Sequence, residues 1–546
     1  MKPSCRTAAL VLALALAPPA LARRDPTIYD RKTNLPHLAK RVPHSSPANA
    51  GTVFTSASTP VINQTEAVKR FTVNGSAIPE VDFHIGESYA GLLPIGPGQD
   101  VSELYFWFFP TPNPAADDEI VIWLNGGPGC SSLEGVLQEN GPFSWQYGTF
   151  KPVKNPWTWV NLTNVVYIEQ PAGTGFSPQK GTTPATDEIE VAKQFLGFWK
   201  NFVDTFGLQN RKVYITGESY AGYYVPYIAD AMHNETDSEY YNVESIMFYD
   251  PSLTYHVVQG DIPALPFVEH WHNLFNLNQS YMQELTKRHE DCGYKQFMEE
   301  AFVFPPTGPL PTPPDVDQQN DTCRIFNDIT DAAMLVNPCW DVYQVATTCP
   351  LLWDVLGFPG SFDYLPEGAS IYFNRTDVQK AINAPIGDWA ECSDGVLYAD
   401  LSPPSALSVL PRVIEKNKKT IIAHAELDMI LIKNGSIVAI QNMTWGGAQG
   451  FSKGPDQWND FYIPYHTEFS PSTLAAAGNF GKWHTERGLT FCTVELSGHM
   501  VPQYAPSAAY RQLEFLLGRI DNLGEVSDFT TQSGDLGNHN SSMALF

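Results

Sequence analysis

The chain has 546 residues, 43% of them hydrophobic, so it can bury a large core in one elaborated domain or in two. Its 59 acidic and 33 basic residues give a formal net charge of −26, which argues against nucleic acid or anionic membrane surfaces as partners. Because such a surface loses net charge as pH falls, it would suit an acidic exterior or a vacuole.

The N-terminus has the pattern of a secretory signal over residues 1–22. Basic residues precede an apolar centre at 8–17, and Ala20-Leu21-Ala22 matches a small-residue cleavage site. Residues 23–50 are polar and rich in Pro, Ser and Asn, which predicts a flexible arm or pro-segment. No later apolar run is long enough to span a bilayer, so we expect a secreted protein, with a vacuolar one as the alternative.

The cysteine and sequon content agrees with an oxidising, exported environment. Cys5 falls in the signal, and the seven remaining cysteines are most simply three disulfides and one free thiol. Cys492, inside the apolar run 489–496, is expected to be the free thiol, in a buried strand. Ten N-x-S/T triplets are candidate sites for N-linked glycans: Asn63, Asn74, Asn161, Asn234, Asn278, Asn320, Asn374, Asn434, Asn442 and Asn540.

Strand-like and helix-like segments alternate in the first part of the chain, residues 51–256. Strands are predicted at 104–109, 120–124, 165–168 and 213–215. Before the last of these lies an amphipathic helix whose apolar face consists of Val191, Phe195, Phe198, Trp199 and Phe202. The alternation predicts an α/β fold with a mostly parallel central sheet and flanking helices.

The pattern breaks over residues 257–365, which are predicted to be an insertion. This stretch contains a proline run from 305 to 314, and proline-rich segments cannot join a central sheet. It also contains four cysteines that can cross-link it through disulfide bonds. Four cysteines allow three pairings, and the sequence leaves the choice open for Cys292, Cys323, Cys339 and Cys349.

The alternation resumes in residues 366–522. Strands are predicted at 420–423 and 491–496. A final helix begins at Pro506 and presents one apolar side, made of Tyr510, Leu513, Leu516 and Leu517. The tail, residues 523–546, is predicted to be disordered.

The segment G-E-S-Y-A-G at 217–222 stands between the strand at 213–215 and a helix-like stretch at 223–232. Small residues on both sides of Ser219 permit a sharp strand-to-helix turn that raises the serine hydroxyl above the sheet as a nucleophile. A strict G-x-S-x-G motif would have glycine at 221, where Ala221 stands. Taken alone, the motif fits an ordinary corner with a surface serine equally well.

A serine nucleophile needs a base to take its proton and an acid to orient that base. In the α/β-hydrolase layout the chain order is serine, acid, histidine, each just after a strand. Asp428 follows the strand at 420–423, and His499 follows the strand at 491–496. Rival acids lack a preceding strand, and rival histidines lie in irregular Gly/Pro/Ser-rich surroundings: Asp388, Asp394, Asp400, His466 and His484.

A second motif, W-L-N-G-G-P-G-C-S-S at 123–132, follows the strand at 120–124. Its glycines allow backbone N–H groups to turn toward a developing oxyanion, and the N–H groups of Gly127 and Tyr220 are the predicted pair of donors. The alternative is a tight structural turn. The sequence shows no metal-ligand cluster or phosphate loop, so we expect no metal and no cofactor.

Three segments together resemble the serine carboxypeptidase family of the α/β-hydrolase fold. They are the motif at 123–132, G-E-S-Y-A-G-Y-Y-V-P at 217–226 and S-G-H-M-V-P at 497–502. The segment E-Q-P-A-G-T-G-F-S at 169–177 is similar to another stretch of that family, which usually begins with Asp. At the acid the family has a G-D-x-D-like stretch, and here A-E-L-D at 425–428 keeps the aspartate without the glycine. The resemblance runs from about residue 70 to 520 and is to a fungal-like secreted or vacuolar member.

The resemblance implies roles for individual residues. It implies Ser219, Asp428 and His499 as the catalytic triad, with Gly127 and Tyr220 as the oxyanion hole. It further implies that the insertion is a lid over the substrate cleft and that the motif cysteine pairs with a distant one, in the pair Cys130 and Cys392. For binding the terminal carboxylate of the substrate it implies Asn125, Glu139 and Glu218, supported by Trp123.

Two glutamates bind a carboxylate only when they are protonated. Close carboxyl groups raise one another's proton affinity, because two buried like charges are costly. A protonated Glu139–Glu218 pair can donate a hydrogen bond to the chain terminus beside Asn125, and it repels the substrate when it ionises. The alternative is that both glutamates are solvated surface charges.

The sequence therefore predicts a serine-type carboxypeptidase that releases C-terminal amino acids from peptide or protein substrates through an acyl-enzyme at acidic pH. His499 must be neutral to act as the base, so acidic operation requires a lowered histidine pKa or a slower rate. One alternative is an esterase, lipase or N-terminal peptidase, although Asn125 stands where such sites often have histidine. The others are an acyltransferase on the same scaffold and a catalytically inactive, glycosylated binding protein.

Overall fold

The computed structural model describes residues 61–98, 100–181, 183–357, 370–466 and 476–533. The predicted signal peptide, the predicted arm and the sequon at Asn540 lie outside the described residues, as does the tail beyond residue 533. Among the described residues, no helix combines the length and the apolar character needed to cross a bilayer.

Ten of the fourteen strands in the described residues form one sheet. The strands are β1 (Tyr89–Pro94), β2 (Glu103–Phe109), β3 (Glu119–Leu124), β4 (Phe143–Ser144), β5 (Val153–Lys154), β6 (Val165–Glu169), β7 (Lys212–Glu218), β8 (Val243–Tyr249), β9 (Lys419–Ala425), β10 (Thr444–Trp445), β11 (Ala448–Gln449), β12 (Asn459–Ile463), β13 (Gly478–Glu486) and β14 (Leu489–Val494). The sheet order is β1-β2-β6-β3-β7-β8-β9-β14-β13-β12. The strands from β6 to β14 in that order are mutually parallel, and the pairs at both edges are antiparallel. The predicted mostly parallel sheet is confirmed.

Helices cover both faces of this sheet. They are α1 (Glu66–Lys69), α2 (Glu188–Phe206), α3 (Ala221–Asn234), α4 (His256–Gln259), α5 (Asp261–His270), α6 (His272–Phe275), α7 (Gln279–Asp291), α8 (Tyr294–Ala301), α9 (Ile325–Val336), α10 (Thr376–Ala381), α11 (Leu410–Lys416), α12 (Lys433–Asn442), α13 (Val501–Tyr504), α14 (Pro506–Leu516) and α15 (Thr530–Ser533). The apolar face predicted between residues 191 and 202 is buried in α2. The last predicted helix is present as α14, but it is buried on every side rather than on one.

Alternating side chains of β2 show why the sheet needs cover on both faces. Leu104, Phe106 and Phe108 belong to one hydrophobic cluster, which also contains the apolar residues of α2 and α3. The intervening Tyr105 and Trp107 belong to a second cluster, on the α14 side. A central strand buried on both faces has a continuous apolar sequence, and this explains why the run at 104–109 is recognisable without any polar alternation.

Some strand predictions need correction. The strand predicted at 491–496 ends at Val494, and Leu496 lies in a turn with a φ of 56°. His484, predicted in irregular surroundings, is part of β13. Strands β1, β8, β12 and β13 were not predicted. In β12 and β13 exposed polar residues alternate with buried ones, because these strands are at the sheet edge. In β8 two polar residues interrupt the apolar run. These patterns explain why the three strands were missed.

The stretch between β8 and β9 begins with six helices, α4 to α9, and its described residues contain none of the named strands. These helices have a hydrophobic cluster of their own. That cluster includes Leu427 and Met429, the residues on either side of Asp428. The inserted helices therefore pack against the turn that carries the predicted catalytic acid.

The carboxyl ends of the parallel strands bring the predicted site residues to one edge of the sheet. Asn125 directly follows β3, and Ser219 directly follows β7. Asp428 and His499 follow β9 and β14 after short turns. In open α/β sheets this edge is where ligands bind.

Candidate active site

Ser219 occupies the turn between β7 and α3. Its φ of 60° lies in the left-handed region, and its N–H donates to the Tyr249 carbonyl at 3.0 Å. A Cβ at Gly217 or at Gly222 would approach a backbone carbonyl oxygen to 2.3 Å, so neither position accepts a side chain without displacement. The glycine requirement thus falls at 217 and 222, and Ala221 is tolerated where a strict motif has glycine.

The side chains of His499 and Asp428 are in contact with each other. His499 Nδ1 lies 2.9 Å from Asp428 Oδ2, and both side chains are buried. Asp428 Oδ1 also accepts the backbone N–H of Ile430 at 2.9 Å. This arrangement places the proton on Nδ1, and Nε2 has no hydrogen-bond partner among the described residues. Nε2 is therefore available as a general base.

The pKa of His499 is set by two opposing effects. Burial lowers the pKa, but the charge and hydrogen bond of Asp428 outweigh burial, and the net pKa is raised above its ordinary value. The lowered histidine pKa that would favour acidic operation is therefore not found.

Ser219 and His499 line one cavity of about 510 Å³. One wall is the loop 125–130 that follows β3. The loop 392–400 forms another part of the lining, and Tyr343 of the inserted segment also lines the cavity. The Tyr343 carbonyl accepts the backbone N–H of His499 at 2.7 Å, so the inserted segment contributes directly to the position of the histidine.

The loop after β3 reaches the serine turn at very close range. A Cβ at Gly126 would lie 2.4 Å from the backbone nitrogen of Tyr220, so only glycine fits there. Gly127 has a φ of 110°, a conformation that side-chain-bearing residues rarely adopt. Within the described ranges, the backbone N–H groups of Gly127 and Tyr220 have no acceptor. Both are free to donate to an oxyanion formed at Ser219.

The predicted carboxylate-binding residues form one buried hydrogen-bonded cluster. Asn125 Nδ2 donates to Glu139 Oε1 at 3.0 Å and to Glu218 Oε1 at 2.9 Å. Trp123 Nε1 donates to Asn125 Oδ1 at 2.7 Å and fixes the amide in that orientation. The alternative of solvated surface glutamates is wrong, because both carboxyls are buried. Since Asn125 and Glu218 also line the cavity, the cluster lies at one end of the space that contains the serine.

The two glutamates are held as a proton-sharing pair. Burial raises the pKa of Glu139 to about 7, although its hydrogen bonds with Asn125 and Glu218 oppose the rise. Burial raises the pKa of Glu218 well above its ordinary value, and the neighbouring charge of Glu139 raises it further. At acidic pH the pair therefore carries at least one proton that it can donate.

Sequence reasoning missed three buried acids around these clusters. Glu134 lines the cavity, and its Oε2 lies 3.4 Å from Asn125 Nδ2. Glu391 lies close to Glu134, and burial raises the pKa of both well above the ordinary range. Asp250 lies beside Asp428 and His499. Its position directly after the apolar run 246–249 was the available signal, the same placement that identified Ser219.

The rival acids and histidines do not join the Asp428–His499 contact. Asp400 lines the cavity and accepts a hydrogen bond from the Tyr220 hydroxyl. Asp394 also lines the cavity, whereas Asp388 is exposed elsewhere. The rival histidines are occupied in other ways: His484 lies 2.7 Å from Glu486, and His466 packs against Trp157 at 4.4 Å between ring centroids.

Three disulfides are present in the described residues. Cys130 of the loop after β3 pairs with Cys392, and both cysteines line the cavity. In the inserted segment the pairs are Cys292–Cys323 and Cys339–Cys349, one of the three possible connectivities. Cys492 in β14 is free and buried, as predicted, and burial raises the pKa of its thiol to about 12.

Nine of the ten sequons lie in the described residues. The asparagines at three of them are half-buried: Asn161, Asn434 and Asn442. The other six are exposed at the surface: Asn63, Asn74, Asn234, Asn278, Asn320 and Asn374.

Comparisons with known proteins agree with this geometry. The family model described as "Serine carboxypeptidase" matches residues 79–518. A "Probable serine carboxypeptidase" of Arthroderma benhamiae is 56% identical over 471 residues, covering 84% of this chain and 88% of that protein. The "Serine-type carboxypeptidase F" of Aspergillus niger is 45% identical, covering 82% of this chain and 87% of that protein.

Among solved structures, a prohormone-processing carboxypeptidase of Saccharomyces cerevisiae, Kex1, has a similar fold. The TM-score is 0.65, the sequence identity is 24%, and the match covers 84% of this chain and 98% of that one. At this identity the likeness concerns the fold alone.

Proposed function

Since the chain belongs to the serine carboxypeptidase family, we propose that Ser219, His499 and Asp428 are the triad with which this serine-type carboxypeptidase releases C-terminal residues from peptides. The Ser219 hydroxyl transfers its proton to His499 Nε2 while its oxygen attacks the carbonyl carbon of the last peptide bond. The N–H groups of Gly127 and Tyr220 stabilise the resulting oxyanion.

The tetrahedral intermediate collapses by breaking the carbon–nitrogen bond. His499 gives its proton to the departing amine, which leaves as the free C-terminal amino acid, and the rest of the peptide remains as an ester on Ser219. Water then attacks the ester with His499 again as the base, and the serine hydroxyl is restored.

The observation that carries the proposal is the Asn125–Glu139–Glu218 cluster in the cavity of the serine. Esterases and endopeptidases have no use for a group that binds a free chain terminus. Here the protonated glutamate pair donates to the terminal carboxylate beside the Asn125 amide, and this fixes the cleavage position one residue from the end. Because the pair loses its proton as pH rises, binding is strongest at acidic pH.

Acidic operation involves a compromise between the two ends of the cavity. The raised pKa of His499 slows the proton transfer below neutrality, whereas the raised pKa of Glu139 and Glu218 favours substrate binding there. We therefore expect kcat to rise with pH over the range in which the affinity for free-carboxylate peptides falls.

The inserted segment acts as a lid that completes the cleft, since Tyr343 lines the cavity and supports His499. The exported, glycosylated form predicted from the sequence is supported by the six exposed sequons and by the disulfides. Mass spectrometry of the secreted protein before and after glycan removal tests this part.

The decisive experiment is the timed release of amino acids from a defined peptide and from its C-terminal amide, across pH. The free peptide should lose residues one at a time from its end, with KM rising steeply above about pH 7, where Glu139 ionises. The amide should bind weakly at every pH, with a much flatter KM profile. Equal pH dependence for the two substrates would reject the carboxylate-binding role, and Ser219→Ala serves as the inactive control.

A further inference from the structure

Asp250 is a fully buried carboxyl next to the proposed triad that the proposed mechanism does not use. It directly follows β8 and is 0% exposed. Its Oδ1 accepts the backbone N–H of Ala425 at 2.9 Å, and His424 Nδ1 lies 2.7 Å from the same oxygen. Its Oδ2 meets no hydrogen-bond donor among the described residues. A buried carboxyl oxygen without a donor is costly unless that oxygen carries a proton of its own.

Asp250 and Asp428 are adjacent, fully buried carboxyls. A carboxylate oxygen of Asp250, a carboxylate oxygen of Asp428 and a ring nitrogen of His499 all lie within 4.8 Å of one another. Two buried carboxyls in such contact do not both ionise. Asp428 already faces donors at both oxygens, namely His499 Nδ1 and the backbone N–H of Ile430. The shared proton therefore belongs on Asp250, and Asp428 is the acceptor.

We propose that Asp250 is a positioning residue whose Oδ2–H donates to Asp428 and holds that carboxylate in the orientation that His499 requires. The inference rests on the proposed triad. The proton stays on Asp250 throughout the cycle, while His499 alone takes the serine proton and returns it. Without this donor, the Asp428 carboxylate is free to rotate, and its hydrogen bond with His499 Nδ1 weakens.

The surroundings keep Asp250 neutral over the working pH range. The titratable groups that face it are His424 from β9, Glu218 from β7, and the pair Asp428 and His499. Burial lowers the pKa of His424 to about 3, so this histidine supplies no positive charge. Burial raises the pKa of Asp250 well above its ordinary value, and the charge of Asp428 raises it further, whereas His499 opposes the rise.

The test uses the full-length enzyme and a neutral fluorophosphonate, which reacts with Ser219 but carries no carboxylate. The second-order labelling rate is measured over about pH 4 to 9, a range that spans the ordinary histidine pKa. Asp250→Asn retains a neutral donor of the same shape, and asparagine tolerates the φ of 42° at this position. Asp250→Ala removes the donor, and its thermal midpoint is recorded to establish that it folds.

The labelling rate of Asp250→Asn should lie within about threefold of the wild-type rate. The pH at which labelling slows on the acidic side of the profile, the acid limb, should not change. Asp250→Ala should label about tenfold to a hundredfold more slowly, the range expected for losing a hydrogen bond to a buried charge. The inference is overturned if Asn slows labelling as much as Ala does. It is also overturned if Asn moves the acid limb to lower pH, because that shift means that a negative charge has been removed from beside His499. Labelling of Ser219→Ala at the wild-type rate would instead refute the proposed triad itself.

Discussion

Two pairs of buried carboxyls stand close to the proposed nucleophile, and they differ in what they face. In the cleft pair, Glu139 and Glu218, both carboxyls accept from Asn125, and Glu218 lines the cavity. The sealed pair, Asp250 and Asp428, lies beneath His499, and neither member lines the cavity. In both pairs, burial and mutual repulsion hold one proton in place.

Position decides what that proton does. In the proposed mechanism a substrate carboxylate reaches the proton of the cleft pair, so that proton contributes to binding and is lost when pH rises. The proton proposed for the sealed pair is accepted by Asp428, so it contributes to the geometry of the base. Changes in the sealed pair should therefore alter kcat for every substrate, and changes in the cleft pair should alter KM for free-carboxylate substrates only.

The largest effect is expected for Asp428→Asn. The asparagine amide no longer accepts from His499 Nδ1, so the imidazole loses the tautomer that makes Nε2 the base, and kcat should fall by about 10³ to 10⁴ for peptides and esters alike. The measurement is kcat and KM for one peptide and one ester. Asp388→Asn, at an exposed acid of the same type, is the matched control. A variant at 428 that kept a tenth of the wild-type kcat would contradict the sealed-pair role.

A smaller and more selective effect is expected for Glu139→Gln. Glutamine does not ionise, so the variant lacks the group whose pKa lies at about 7, and KM for a free peptide should stop rising above about pH 7 and become about tenfold lower than the wild-type KM near pH 8. KM for the peptide amide should not change. The two KM profiles are compared with those of Glu235→Gln, an exposed control. Parallel profiles in wild type and variant would show that the cleft pair does not titrate with binding.

Glu134→Gln tests the third acid at the cleft pair. Glu134 and Glu139 are coupled carboxyls that raise one another's proton affinity, so replacing Glu134 with a neutral amide should lower the pKa at which Glu139 loses its proton and move the midpoint of the KM profile to lower pH. We expect a shift of about half a pH unit, equivalent to about threefold in KM near the midpoint. KM is measured in small pH steps around this midpoint. A shift of the midpoint to higher pH would mean that Glu134 contributes to substrate binding instead.

The smallest effect concerns stability. Burial raises the pKa of Glu139, Glu169 and Asp341 to about 7, so the folded state binds more protons than the unfolded state between their ordinary pKa values and about pH 7. The free energy of unfolding should therefore fall as pH rises through this window. The thermal midpoint should drop by about 5 °C or more between pH 4.5 and 7.5. Scans in high salt remove the contribution of surface repulsion, and a midpoint that rose with pH would contradict the protonation of these groups.

The sequence identified the centre of the molecule better than its edges. Runs such as 104–109 and 120–124 are apolar on both faces, and a glycine is required wherever backbone approaches backbone, as at Gly126 and Gly217. Each of these requirements acts on a few consecutive residues, so it can be recognised in the sequence. The acid and the histidine were identifiable because each follows a strand at the same edge of the sheet.

What the sequence did not reveal depends on contacts between distant segments. Nothing around Glu134 or Asp250 in the sequence shows that each comes to lie against another carboxyl, because their neighbours arrive from other strands and loops. The pairing of the four cysteines in the insertion depends likewise on how α7 to α9 pack. The predicted domain boundaries and the roles assigned to the site residues remain predictions.

The disulfides have a consequence for the integrity of the chain. The proline run 305–314 is partly exposed and lies between Cys292 and Cys323, which are bonded to each other. Cys130 and Cys392 lie on opposite sides of the same run and are also bonded. A protease cut in this run would therefore yield two polypeptides joined by two covalent links, whose strands still lie side by side in one sheet. Such a nicked enzyme should migrate as one band until a reductant is added, and it should retain its catalytic machinery.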